Sequence, residues 1–96
     1  MLVKDFLKLA ADADRRLFVY YSSKGELVPV SVNKDKKDSQ IRLELLERWQ
    51  PAITLSEFKK QLASADQDFK IVITRDKKIH QPLFGFQIIK QRLILA

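Results

Sequence analysis

Apolar residues recur along this chain with two periods, and the switching between them predicts its elements. In the stretch 53–66, Leu55, Phe58, Leu62 and Ala65 are spaced by three, four and three, one stripe of a helix whose other side carries Lys59, Lys60 and Gln61. Thr54 followed by Glu57 is a capping box that starts this helix at Leu55, with Ile53 and Phe58 placed as its hydrophobic staple. Val3, Phe6, Ala10 and Ala13 repeat the same spacing and predict a first helix over 2–14.

After Arg15 and Arg16, residues 17–21 (Leu-Phe-Val-Tyr-Tyr) read as a strand. Residues 22–25 then read as a turn, with Gly25 available for a positive φ, and 27–32 as a returning strand in which Pro29 cannot donate to a ladder. A polar connection, 33–39, leads to Ile41-Arg-Leu-Glu-Leu45, which alternates apolar and charged as a half-exposed strand does. The stretch 41–49 also has a helical reading: Ile41, Leu45 and Trp49 share a helical face, Ser39 can cap it, and Glu44 and Arg48 form an i,i+4 pair.

The second half of the chain favours the strand, over 40–46. Laying 2–14 on 54–66 without a gap gives five identities (Phe6/Phe58, Lys8/Lys60, Ala11/Ala63, Ala13/Ala65, Asp14/Asp66), where average residue usage gives about one. Residues 69–74 then answer the first strand, 75–78 the turn, Pro82 leading into 83–88 the strand after Pro29, and 92–95 the stretch 41–45. The expected fold is α+β: two helix-strand-strand-strand repeats, units 1–48 and 51–96 of one domain, related by a pseudo-twofold, with two helices packed on antiparallel sheet.

An opening such as Val3-Lys-Asp-Phe-Leu7, an Asp just before an apolar strand, a hairpin with proline in its return arm and a short Leu-rich closing strand resemble the small αβββ domains of uncharacterised phage and Gram-positive bacterial proteins. The resemblance covers nearly the whole chain as two tandem copies and brings no catalytic residues. It implies a phage or mobile-element protein of accessory or regulatory type.

Composition narrows the function classes. Ninety-six residues, 46% of them hydrophobic, suit one domain with a single core, and without cysteine there is neither a disulfide framework nor a thiolate site. Residues 1–8 lack a signal peptide's apolar stretch and no run reaches membrane-spanning length, so a cytoplasmic protein away from the membrane is expected. His80 is the only histidine and has no partners at metal or dyad spacing. The aspartates at 12, 14, 66 and 68 lack further clustered ligands, and Gly25 and Gly85 build no phosphate loop. The expectation is a non-enzymatic protein with no cofactor, metal or small-molecule substrate.

A net charge of +6, with six basic residues and only Asp76 as an acid after residue 68, raises the prospect of an acidic partner. The nucleic-acid candidates are Lys34, Lys36, Lys37, Arg75, Lys77, Lys78, Lys90 and Arg92, with Tyr20, Tyr21, Phe84 and Phe86 as aromatics of undecided exposure. The preferred reading is instead a protein partner or a homodimer. It would be gripped by Trp49, in the link between the halves, and by Leu93 and Leu95 of an apolar closing strand free to pair at a sheet edge.

Overall fold

The computed structural model describes residues 1–75 and 80–96. In chain order the elements are α1 (Val3–Leu9), β1 (Phe18–Ser23), β2 (Glu26–Asp35), β3 (Gln40–Leu45), α2 (Leu55–Ala63), β4 (Lys70–Thr74), β5 (His80–Pro82), β6 (Phe86–Ile89) and β7 (Arg92–Leu95). The strands form one sheet in the order β5-β4-β3-β2-β1-β7-β6.

This corrects the expected fold class. The halves are not helix-strand-strand-strand units with antiparallel sheets of their own: they share one mixed sheet, and α2 is followed by four strands. β1 and β2, β2 and β3, β4 and β5, and β6 and β7 pair antiparallel, whereas the pairs that join the halves, β1 with β7 and β3 with β4, are parallel. The stretch 83–88, expected as one strand, is broken. Leu83 continues the ladder of β4, its N–H donating to the Ile71 carbonyl at 3.1 Å, while Phe84 and Gly85 turn to the Ala96 carbonyl at 2.8 and 3.2 Å. The two ends of the strand order are thus consecutive segments of chain, and the sheet curls until its ends are joined through 83–85.

Local chemistry explains the rest. The β1–β2 connection puts Lys24 and Gly25 at φ 50° and 80°, the two positive central residues of a turn whose twist suits a hairpin. Ile41 and Leu43 of β3 are buried while Arg42 and Glu44 alternate with them, and this strand pairing settles 40–46 against the helical reading. Thr54 caps α2 as expected, its Oγ1 accepting the Glu57 N–H at 3.3 Å. α1 has no side-chain cap and stops at Leu9, five residues short of the expected end. Its first N–H groups, on Val3 and Lys4, donate instead to the carbonyls of Phe69 and Gln67.

Those bonds have counterparts at corresponding positions of the ungapped alignment, since Leu55 and Ser56 donate to the carbonyls of Leu17 and Arg15. Likewise Lys70 and Phe18 donate to Ser39 and Gln91, and Ile71 and Val19 to Met1 and Ile53. Each helix start is therefore bonded to the chain just before the first strand of the other half. The stripes Val3, Phe6, Ala10 and Leu55, Phe58, Leu62 meet in one core with Val19, Tyr21, Ile41, Leu43, Ile71, Ile73, Leu93 and Leu95. Phe6 and Phe58 touch edge to face at its centre, ring centroids 5.2 Å apart. On β1, β3, β4 and β7 residues of odd number thus face the helices and those of even number form the outer face, whereas on β2 it is Val28, Val30 and Val32 that pack inward.

Candidate nucleic-acid interface

Because β1 alternates, burial of Val19 and Tyr21 turns Phe18 and Tyr20 outward. Phe18 is 44% exposed, high for an aromatic side chain inside a sheet. On β7, the parallel neighbour, Arg92 lies opposite Phe18 and Ile94 opposite Tyr20. The Arg92 guanidinium is 5.9 Å from the centre of the Tyr20 ring, a cation–π arrangement that holds the cation on the face.

Two grooves adjoin this surface. One, of about 350 Å³, is lined by Tyr20, Gly25, Glu26, Leu27, Arg48 and Arg92, with Arg48 held by Glu26 at 3.4 Å. The other, of about 700 Å³, opens beside Phe18 where the loop before β1 meets the start of α2; Arg15, Arg16, Ser56 and Gln91 are among its walls. Arg16 is fixed there by Asp14, which accepts from its backbone N–H at 2.9 Å and from its guanidinium at 3.3 and 3.2 Å. Hydrogen bonds from Arg16, and then its charge and that of Arg15, hold the Asp14 carboxyl below the usual carboxylate range.

The outer face over β3 and β4 differs. There Asp35 is ion-paired with Arg42, Glu44 lies beside Thr74, and Thr74 Oγ1 is 3.0 Å from His80 Nδ1. The hydrogen bond from Arg42 and burial act oppositely on the Asp35 carboxyl, and the hydrogen bond wins, lowering its pKa. With its charges matched, this half offers an acidic partner little.

Of the expected nucleic-acid residues, Arg92 stands on the aromatic face and Lys90 beside it in the β6–β7 turn, both exposed. Lys36 and Lys37 occupy the β2–β3 turn, before β3, and Lys34 is bonded to the Ser64 hydroxyl at the end of α2. Since β1, β3, β4 and β7 run in the same direction, these residues lie at the end of the sheet where Arg15 and Arg16 enter β1. Arg75 follows β4 at the opposite end, so the basic residues do not all converge; Lys77 and Lys78 lie outside the described residues.

The expected protein contacts separate. Trp49 is 81% exposed, whereas Leu93 and Leu95 are fully buried, because β7 lies between β1 and β6 rather than at a free edge. A strand already bonded on both sides cannot recruit another. Among the described residues no group of three or more His, Cys, Asp or Glu could hold a metal ion, and no helix is long and apolar enough to cross a membrane.

Phe18, Arg15, Arg16 and Arg48 were not among the expected contacts. The only sequence signal for Phe18 was its place in Leu17-Phe-Val-Tyr-Tyr21, where every residue is apolar or aromatic and alternation cannot tell the outward set from the inward one. No protein-family model, curated protein or solved structure matches the chain.

Proposed function

We propose that this protein is a binding protein for single-stranded nucleic acid, which it takes on the outer face of β1 and β7. The observation that carries the reading is the grouping of Phe18 and Tyr20 on one face of β1 with Arg92 beside them. Two residues apart, the rings are separated by about 7 Å along the strand, and sheet surfaces that bind single strands use aromatic residues in this way, each ring stacking on a base. Arg92, Arg48 and Lys90 supply cations for the phosphates, and the net charge of +6 favours encounter with a polyanion.

Fluorescence anisotropy with labelled oligo-dT and oligo-U of about ten nucleotides, within the range of known single-strand site sizes, tests this. Phe18→Ala, at an exposed position, should weaken binding by about 1–3 kcal/mol while leaving the circular dichroism spectrum intact. Absence of binding to either strand at low salt sinks the reading.

A protein partner is the second reading, favoured by Trp49, an aromatic residue left mostly in solvent. A copurifying protein lost on Trp49→Ala, together with indifference to Phe18→Ala, would support it in place of the first.

A further inference from the structure

The larger groove is lined by three segments of chain: residues 14–18, the start of α2 and Gln91. Phe18 is bridged to Thr54 on one flank, and on the other its N–H donates to the Gln91 carbonyl at 3.2 Å. Asp14, Arg15 and Arg16, in the loop that leads into β1, line the groove at the end of the sheet where β1 begins. A strand of nucleic acid lying over Tyr20 and Phe18 therefore reaches this groove where it meets the loop before β1. Its volume of about 700 Å³ lies within the range of small-ligand sites.

The corresponding place in the other half carries a side-chain bridge. The alignment that pairs Ser56 with Lys4 and Arg16 with Asp68 puts an ion pair there, Lys4 Nζ to Asp68 at 3.1 Å. A small hydroxyl at 56 in place of a lysine removes that strut and leaves the groove beside Phe18 open. Within it Arg16 is matched by Asp14, while Arg15 has no ion-pair partner among the described residues. The first N–H groups of α2 are already used, by the Leu17 and Arg15 carbonyls and the Thr54 hydroxyl, so any anion must be held by side chains.

Building on the single-strand reading, we infer that this groove takes the phosphorylated end of the bound strand. The last base stacks on Phe18, and the terminal phosphate meets the Arg15 guanidinium and the Ser56 hydroxyl. A terminal phosphomonoester carries close to two negative charges at neutral pH and three free oxygens, a better match to a guanidinium and a hydroxyl than the single charge of an internal diester.

Four labelled strands of the same sequence distinguish the cases: one with a 5′-phosphate, one with a 3′-phosphate, one with hydroxyls at both ends, and one closed into a circle. One phosphorylated strand should bind about tenfold more tightly than the hydroxyl-ended strand, as expected for a charge-assisted contact, and the circle should bind no better than the latter. Which phosphorylated strand is preferred reports the polarity on β1. Arg15→Gln should bring the ratio of phosphorylated to hydroxyl-ended affinity to about one, as should Ser56→Ala in part. Equal affinity for all four strands overturns the end-recognition inference and leaves single-strand binding standing. Failure of every strand to bind overturns both.

Discussion

Phe58 and Phe18 show how the same side chain is put to two uses by its surroundings. Phe58 is fully buried against Phe6 at the meeting of the helices, and Phe58→Ala should destabilise the fold by about 3–5 kcal/mol in urea melts. Phe18 is on the outside, so its replacement should register in binding and barely in the melt. Asp35 carries a pH dependence. Its carboxyl is held below its ordinary pKa of 3.8, first by the hydrogen bond from Arg42, so the native state favours the ionised form. The resulting stability is present above the unfolded value and is lost as pH falls through 3.8 towards the lower folded value. In urea melts from near-neutral pH downward, the advantage of the native protein over Asp35→Asn should shrink across that window; an advantage independent of pH would mean that the ion pair contributes nothing.

At the scale of elements, the two helix starts solve one problem differently. α2 uses the Thr54 side chain together with the carbonyls of Leu17 and Arg15, whereas α1, beginning after Leu2, relies on the carbonyls of Gln67 and Phe69. Thr54→Ala should cost about 1 kcal/mol, much less than Phe58→Ala, because the backbone bonds survive it. The closing strand gives the sharper test. β7 is hydrogen-bonded to β1 and β6 and Leu95 is fully buried, so Leu95→Asp places a charge in the core. It should abolish the cooperative thermal transition of the monomer. A folded Leu95→Asp protein altered only in self-association would restore the free-edge picture that the sheet order contradicts.

For the molecule as a whole, charge distribution matters more than net charge. Arg15, Lys36, Lys37, Lys90 and Arg92 gather at one end of the sheet, while Asp35 and Glu44 lie on the outer face of β2 and β3. If three or four phosphates are neutralised, binding of a single strand should fall with salt at a logarithmic slope of about −2 to −3. Titrating anisotropy across salt concentrations measures the slope, and Arg92→Gln should make it shallower by somewhat under one. A salt-independent affinity would exclude phosphate contacts as its source.

The chain's own pattern sufficed for the local elements. The threes and fours of Val3, Phe6, Ala10 and of Leu55, Phe58, Leu62 determined which faces the helices bury, Thr54 determined where α2 starts, and Gly25 determined the hairpin. These are decided by contacts within a few residues and by period alone. The partners of each strand were not legible, because sequence order does not state that β1 will pair with β7 or β3 with β4. That choice follows from each helix start bonding to the opposite half, as Val3 does to Phe69 and Leu55 to Leu17. Once made, it buried Leu93 and Leu95, joined the sheet's ends through Leu83–Gly85, and left Trp49 in solvent. Phe18 depended on it too: its neighbours along the chain are apolar on either side, and only the packing of Val19 and Tyr21 beneath the helices turned its ring outward beside Arg92.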